Sequence, residues 1–258
     1  MILRHLATAF RKQDWFTVLV EIMIVVLGVF LGIQVSNWNE ARSDRQLGKE
    51  YTIRLIADFE KDLAGNRVMS AYYTQVLLSI ETADQLLSAS DPDPKDLVAA
   101  AYRSSEFSND PTNRATWDQI VSSGHLGLLP SQAIASGLSD YYKYQDSNNE
   151  TISLLQGTPY RLAVRSLIPL PIQLAIRDGC SDVSDERNVI VGFTAECRLD
   201  VDETLLEESA QALMSSATIR ETLRHQYSMV AAARNNMNGN ITLIERVIDA
   251  LRASGEAP

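Results

Sequence analysis

The stretch Trp15-FTVLVEIMIVVLGVFLGIQV-Ser36 decides the fold of this chain. It carries one charge, Glu21, and one amide, Gln34. About 20 helical residues, each rising 1.5 Å, span roughly the 30 Å hydrocarbon thickness of a bilayer. Trp15 lies at one end and Trp38 just beyond the other, where amphipathic aromatic rings prefer the membrane interfaces. The stretch therefore predicts a transmembrane helix over residues 15–36, surrounded by the lipid bilayer, with Trp15 and Trp38 as interface anchors.

A cleaved signal peptide is the main alternative. The uninterrupted apolar run Ile22–Ile33 has about 12 residues, a length that suits the apolar core of a signal peptide. No small-x-small cleavage site follows, because the next residues are Gln34-VSNW-Asn39. We therefore favour an uncleaved anchor, with residues 1–14 as a short basic cytoplasmic tail and residues 37–258 as a soluble helical domain.

One face of the span predicts a contact with another helix. Gly28 and Gly32 form a G-x-x-x-G pattern, which lets a second helix approach closely. Glu21 falls within about 20° of the same line at 100° per residue, and a carboxyl group in a span tends to face protein or water. The partner would be a second copy of the chain or another membrane protein. The alternative is that Glu21 reaches the headgroups and that the glycines are incidental.

The two cysteines, Cys180 and Cys197, predict a disulfide in the C-terminal third. The bridge would close a loop of about 18 residues and stabilise the fold by roughly 3 kcal/mol on the chain-entropy model. Its flanks are acidic and polar and include Asp178-Gly179, which is typical of an exposed loop. The alternative is two unrelated buried thiols.

The orientation of the span depends on these cysteines. Three bases precede the span and three follow it closely, so the positive-inside rule does not decide; they are Arg4, Arg11 and Lys12 before it, and Arg42, Arg45 and Lys49 after it. A disulfide forms in an oxidising compartment. We therefore expect the N-terminus inside and the domain outside the cytoplasm.

The segment Glu21-IMIVVLGVFLGIQVSNWNEAR-Ser43 resembles the N-terminal signature of a bacterial family of single-pass membrane proteins, a domain of unknown function whose span ends in Q-V-x-N-W-N-E. The matching positions are Glu21, Val25, Val26, Gly28, Gln34, Asn37, Trp38, Asn39 and Glu40. The resemblance covers roughly residues 15–45, and Trp117-DQIVSSGHLGLL resembles a turn of the same group. It implies a bacterial origin and an inner-membrane location, and it implies no chemistry; with the orientation expected from the cysteines, the soluble domain is expected to be periplasmic.

The rest of the chain predicts a mostly α fold, with an elongated helical bundle after the transmembrane helix and a small irregular or β insertion around the cysteine loop. Helix is expected to continue past Asn39 until Asp91-Pro-Asp-Pro94 ends it. Its apolar face recurs every four residues, at Leu47, Tyr51, Leu55, Phe59 and Leu63. A short helix is expected over Lys95–Ser104.

Further helices follow from local signals. Asp110-Pro-Thr112 predicts the start of a helix that stops at Gly124, and Ser131 is expected to cap the next one. Residues 159–200 are expected to be the least regular, because three prolines, at 159, 169 and 171, interrupt an apolar region. Asn188–Thr194 is β-branched and predicts a strand or a small hairpin.

The last segment predicts a long helix with an a/d heptad pattern, or two helices broken at Gly239. The a/d positions alternate spacings of three and four; they are Tyr227, Val230, Arg234, Met237, Ile241, Ile244, Ile248 and Leu251. We expect this segment to pack against the helix that leaves the membrane.

The search for chemistry finds no recognisable site. A net charge of -10 argues against a nucleic-acid partner. His5, His125 and His225 have no metal-ligand spacing, no phosphate-binding or nucleophile motif is present, and the acids near the cysteines match no calcium loop. Tyr141, Tyr142, Tyr144 and Tyr160 either line a pocket or, more commonly at this spacing, belong to the core. We expect no catalytic residue, no metal and no cofactor.

Three function classes remain. The preferred one is a membrane-anchored helical module for interaction or sensing. The others are a cell-envelope enzyme with an unrecognised site and a purely structural envelope protein. A deep polar pocket with converging carboxylates near His125 would favour the enzyme.

Overall fold

The computed structural model describes residues 15–186 and 189–255. The predicted tail, residues 1–14, and the side chain of the predicted interface anchor Trp15 lie outside the described residues. The chain forms two compact units, one ending at Tyr51 and the other beginning at Thr52.

The described chain is mostly α-helical, with one small sheet, as predicted. Its helices are α1 (Trp15–Ser88), α2 (Pro94–Arg103), α3 (Ala115–Ser122), α4 (Ser131–Ala135), α5 (Leu138–Leu155), α6 (Pro159–Leu167), α7 (Leu170–Gly179), α8 (Glu203–Ser215) and α9 (Ala217–Gly255). Strands β1 (Asp182–Ser184) and β2 (Ile190–Phe193) form an antiparallel pair.

The first unit consists of the N-terminal part of α1. Every described side chain from Leu19 to Gln46 is exposed. The most apolar 18-residue window of α1 has a mean hydropathy of 2.3, and none of it is buried in the protein. Within the described residues, α1 is the helix whose length and composition suit a membrane span.

The second unit begins where α1 gains a buried stripe. Leu55 and Phe59 are fully buried as predicted, but the next buried position is Asp62, and Leu63 is only half-buried. A strict four-residue spacing advances about 40° per step around a helix, so it drifts off the core, whereas alternating steps of three and four stay on it. The prediction of Leu63 as a core residue was therefore wrong.

Helix α9 is unbroken and packs antiparallel to the second-unit part of α1. Arg252 pairs with Glu60 and Arg67 with Glu245, so residue numbers rise on one helix as they fall on the other. Gly239 does not interrupt α9. The predicted packing of the two helices is confirmed, and of the two alternatives for this segment the single helix is correct.

The heptad register on α9 differs from the prediction at three of its eight positions. The predicted positions 230, 237, 244, 248 and 251 are buried, but Tyr227 is 46% exposed and the neighbouring Gln226 is buried instead. Ala233 and Asn240 likewise replace Arg234 and Ile241 in the buried stripe. At two of these positions the prediction selected the more apolar neighbour, Tyr227 or Ile241, whereas the helix buries Gln226 and Asn240; at the third the helix buries Ala233 and not Arg234.

Several predicted boundaries shift for local reasons. The Asp91–Pro94 break is confirmed, and Asp93 caps α2 by accepting a hydrogen bond from the backbone N of Asp96 (3.0 Å). The helix expected from Asp110 begins only at Ala115. Ser131 does not act as a cap, because the residue preceding α4 is Pro130 and no side chain caps it.

The single helix expected after Ser131 is divided into α4 and α5 at Gly137. Gly137 has φ +107°, a conformation that L side chains rarely adopt. A Cβ there would also stand 2.8 Å from Cδ1 of Leu243. The break is therefore a consequence of close packing between this turn and α9.

The prediction of irregular structure over residues 159–200 was wrong for its first half. Pro159 is the first residue of α6, and Thr158 caps that helix by accepting a hydrogen bond from the backbone N of Arg161 (3.3 Å). Pro171 lies in the first turn of α7. Proline is favoured at helix starts, where its missing N–H would be unpaired in any case.

The tyrosine concentration is mostly core. Tyr141, Tyr142 and Tyr160 are buried, whereas Tyr144 is 42% exposed and its hydroxyl donates to Oδ1 of Asn236 (3.1 Å). Three of the four therefore support packing and do not line a pocket.

Candidate functional site

The face of the span that was predicted to contact another helix, formed by Glu21, Gly28 and Gly32, is exposed in the single chain. A Cβ added at Gly28 or Gly32 would meet no heavy atom within 4 Å. Glu21 is exposed. Trp38 is 61% exposed, and the Arg42 guanidinium lies 5.9 Å from the centre of its ring. The structure thus leaves room for a second helix along this face and supplies none.

The two cysteines are joined. Cys180 and Cys197 form a disulfide with their Cα atoms 4.4 Å apart. The chain beside it is held closely, since the backbone N of Arg198 donates to the carbonyl of Gly179 (3.1 Å). A Cβ at position 179 would stand 2.0 Å from the Arg198 carbonyl oxygen, so glycine is required there.

A pocket of about 330 Å³ lies next to this disulfide. The end of α2, the end of α7 and the β1–β2 hairpin form its walls, and the disulfide ties the last two together. Its lining combines charged, aromatic and aliphatic side chains: Tyr102, Arg103, Glu106, Ile176, Arg177, Cys180, Ser181, Asp182, Ser184, Ile190 and Phe193.

Arg103 is fixed in this pocket by backbone carbonyls. Its Nη2 donates to the carbonyl oxygens of Thr194 (3.0 Å) and Cys180 (3.3 Å). Its guanidinium lies 5.0 Å from the ring centre of Phe193. Burial lowers the pKa of Arg103 from its usual value, while the charge of Asp182 opposes that shift. The side chain is held in one orientation, and its Nε is buried without a hydrogen-bond partner among the described residues.

Glu106 is matched by two arginines from α6. Arg165 donates from Nη2 to Oε1 of Glu106 (2.7 Å), and Nη1 of Arg161 lies 3.6 Å from Oε2. The guanidinium of Arg165 lies 3.3 Å from the ring centre of Tyr102. Both arginines also donate to Ser105, Arg161 to its carbonyl and Arg165 to its hydroxyl. This cluster supports the wall of the pocket and holds Glu106 in an ion pair with Arg165.

Asp182 is the second acid that lines the pocket, and unlike Glu106 it has no ion-pair partner among the described residues. It is half-buried, forms no ion pair with Arg103, and its Oδ1 has no hydrogen-bond partner among the described residues. Burial and then the charge of Glu106 raise the pKa of Asp182 to about 6, against the opposing charges of Arg165, Arg103 and Arg161. The Asp182 carboxyl group therefore exchanges its proton about two pH units above the usual pKa of an aspartic acid.

Tyr72 adds a third unused polar group beneath the pocket. Its side chain is fully buried, and its ring centre lies 5.4 Å from that of Phe193. Its hydroxyl has no partner among the described residues. Burial raises the pKa of Tyr72, and the charges of Asp182 and Glu106 raise it further. An unpaired buried polar group costs about 1–3 kcal/mol, so three of them in one cluster call for an explanation.

A second polar cluster, centred on Asp62, is structural. Its carboxylate accepts hydrogen bonds from the backbone N (2.9 Å) and Nδ2 (2.6 Å) of Asn113 and from the hydroxyl of Tyr141 (2.8 Å). Burial is the main cause that raises the pKa of Asp62, and these hydrogen bonds oppose it. The cavity beside it holds only about 10 Å³ of free volume, the space of a single water molecule. The cluster joins α1 to α5 and to the chain before α3.

No family model, curated protein or solved structure matches this chain. Its site must therefore be understood from its own residues.

The other sequence candidates do not meet at the pocket. His125 begins a short 3-10 turn, His125–Leu128, and does not line the pocket. Asp202 caps α8 by accepting a hydrogen bond from the backbone N of Thr204 (2.9 Å). Among the described residues, no group of three or more metal-ligating side chains could hold a metal ion.

Sequence analysis missed the arginines of the site. Arg161 and Arg165 are four residues apart in an apolar segment, a spacing that places both on one helix face. That signal was hidden because the prolines around them were interpreted as breaks. Arg103 gave no signal, because its partners lie 77 and 91 residues away in the chain.

Proposed function

We propose that this chain is a single-pass protein of the bacterial inner membrane whose bundle acts as a sensing or interaction module on the periplasmic side. The observation that carries the proposal is the exposed apolar part of α1. The run Leu19–Val35 is apolar apart from Glu21 and Gln34 and is unburied, so it suits hydrocarbon and not water.

Two further observations support the location. The disulfide Cys180–Cys197 belongs to an oxidising compartment, which in a bacterium lies outside the inner membrane. The signature that ends in Asn37-Trp-Asn-Glu40 resembles a bacterial membrane family. The disulfide favours a cytoplasmic N-terminus and a periplasmic bundle, and the signature favours a bacterial inner membrane.

The pocket favours sensing over a purely structural role. Arg103 and Asp182, which line it, keep an unpaired Nε and an unpaired Oδ1, and binding sites use polar groups of this kind for their ligands. The enzyme alternative has less support. The two acids that line the pocket differ in state, since Glu106 is paired with arginines and Asp182 is not, and the described lining includes no histidine or lysine to act as a base.

Membrane extraction tests the anchor. The full chain is expressed in bacteria, and the membranes are washed with alkaline carbonate, which releases peripheral proteins. We expect the wild type to stay in the pellet. Val25→Lys with Val29→Lys should release the chain, because each lysine at the centre of a span costs about 2.5–3.5 kcal/mol on insertion scales.

The matched control places the same two lysines at Ser36 and Asn39, where they can reach the interface. That variant should stay in the pellet. Release of the wild-type chain by carbonate, or equal release of both lysine variants, would contradict the proposal.

A further inference from the structure

Three charged groups in the pocket are available to a ligand. Arg177 is exposed and forms no hydrogen bond or ion pair with the described residues. Arg103 uses only Nη2 in its hydrogen bonds to described residues. The Oδ1 of Asp182 has no hydrogen-bond partner among them. Glu106, the other acid of the lining, is paired with Arg165, and Nη1 of Arg161 lies 3.6 Å from its Oε2.

The charges of these groups define a complementary molecule. Apart from Glu106, which is paired with Arg165, two cations and one anion line the pocket, so a matching ligand carries two anionic groups and one cationic group. A simple anion such as phosphate would leave Asp182 unmatched, and a simple amine would leave both arginines unmatched. Arginine forks bind planar carboxylates through paired hydrogen bonds, which makes carboxylate the better anionic partner.

The shape of the pocket sets the size of that molecule. Its volume, about 330 Å³, is at the small end of the range for ligand sites. Ile176, Ile190 and the Phe193 ring supply an apolar wall between the charged groups. That wall suits a short run of methylene carbons and leaves little room for a nucleotide or a peptide.

We propose that the pocket between α2, α7 and the β1–β2 hairpin binds an acidic α-amino acid. Arg103 and Arg177 hold its two carboxylates, Asp182 holds its ammonium group, and the apolar wall contacts its methylene carbons. The inference rests on the proposed sensing role, for which it names the ligand class.

The arrangement also explains why Arg103 and Asp182 are held apart. Each is positioned by its own contacts, Arg103 by the carbonyls of Cys180 and Thr194, and Asp182 by strand β1. Because they do not pair directly, a ligand can enter between them without first breaking an ion pair. Since the disulfide fixes Cys180, it also fixes one of the two carbonyls that orient Arg103.

Calorimetric titration of the purified full chain in detergent, with its disulfide intact, tests the inference. The probes are L-glutamate, glutarate, which lacks the ammonium group, and L-leucine, which lacks the second carboxylate. We expect L-glutamate to bind at least about tenfold more tightly than either of the others, as the loss of one charged contact implies. No binding of L-glutamate, or equal binding of glutarate or L-leucine, would overturn the inference.

Variants assign the roles. Arg103→Met and Arg177→Met should each weaken L-glutamate binding about tenfold or more, whereas Arg67→Met, which removes an exposed arginine from the α1–α9 pair, should not. Arg177 is exposed, so its variant keeps the test meaningful even if Arg103→Met does not fold. Unchanged binding by Arg177→Met would overturn the assignment of the second carboxylate. Carbonate extraction is independent of these titrations, so failure to bind and failure to anchor are distinguishable.

Discussion

Replacing Tyr141 or Tyr142 by phenylalanine separates a hydroxyl that stabilises the fold from one that does not. Both tyrosines are adjacent, buried and on α5. The Tyr141 hydroxyl donates to Oδ2 of Asp62 (2.8 Å), and Thr112 also hydrogen-bonds to Tyr141. The Tyr142 hydroxyl has no hydrogen-bond partner among the described residues. The two substitutions remove the same atom from nearly the same place.

The magnitudes follow from what each hydroxyl contacts. A hydrogen bond to a charged group contributes about 1.5–3 kcal/mol, and Tyr141→Phe leaves the buried Asp62 carboxylate with one donor fewer. For a domain of this size that corresponds to a fall in Tm of roughly 3–12 °C. Tyr142→Phe removes an unpaired buried hydroxyl and keeps the ring stacked on Trp117, 4.8 Å between centroids. It should leave Tm unchanged or raise it slightly.

Thermal unfolding of the purified full chain, followed by circular dichroism, measures both variants under one condition. The comparison is internal, since ring packing is conserved in each. A Tyr142→Phe variant as unstable as Tyr141→Phe would refute the reasoning, because the two effects would then come from the ring environment. An unchanged Tm in Tyr141→Phe would do the same, because the Asp62 cluster would then contribute nothing.

Three further predictions concern the pocket, the disulfide and the span. Above pH 6, Asp182→Asn should have a higher Tm than the wild type, because burial destabilises the charged Asp182 carboxylate in the folded protein. This difference in Tm should shrink as the pH falls from 6 towards 3.8, because the wild-type acid then becomes protonated and loses its charge. A constant difference in Tm across that range would contradict the prediction. Cys180→Ser with Cys197→Ser should lower the free energy of unfolding by roughly 3 kcal/mol on the chain-entropy model. Reduction of the disulfide in the wild type should lower Tm by the same amount as the double substitution. An unchanged Tm in both would contradict a stabilising role for the bridge. Gly28→Ile with Gly32→Ile should abolish self-association in a membrane two-hybrid reporter, and unchanged association would remove this face as a contact.

The sequence predicted those parts of the fold that depend on local signals. The apolar run of the span, the break at Asp91–Pro94 and the short β-branched strand are each encoded within a few residues. The same holds for the disulfide, where only two cysteines exist to be paired. Each of these signals acts at short range, so no tertiary contact was needed to interpret it.

The parts that failed depend on tertiary packing. Gly137 divides α4 from α5 because Leu243 lies against it, more than 100 residues later in the chain. The buried stripe of α9 includes Asn240 because its Nδ2 donates to Oδ1 of Asn66 (3.0 Å). Hydropathy cannot rank a buried asparagine above a neighbouring isoleucine without knowledge of that partner.

The candidate site was the least predictable feature. Asp182 was noticed only as one of several loop acids, and Arg103 was not noticed at all. Their importance comes from where α2, α7 and the hairpin meet, and from hydrogen-bond capacity that remains unused there. Neither property belongs to a local stretch of sequence.

The most direct test of the account is the activity of a phosphatase fused to the C-terminus of the full chain, measured in carbonate-washed membranes from growing bacteria. Such a phosphatase folds into its active form only outside the cytoplasm, where its own disulfides form. The account predicts an active enzyme that remains in the membrane pellet. An inactive fusion in that pellet would contradict the periplasmic placement of the bundle, and an active fusion released by carbonate would contradict the anchor.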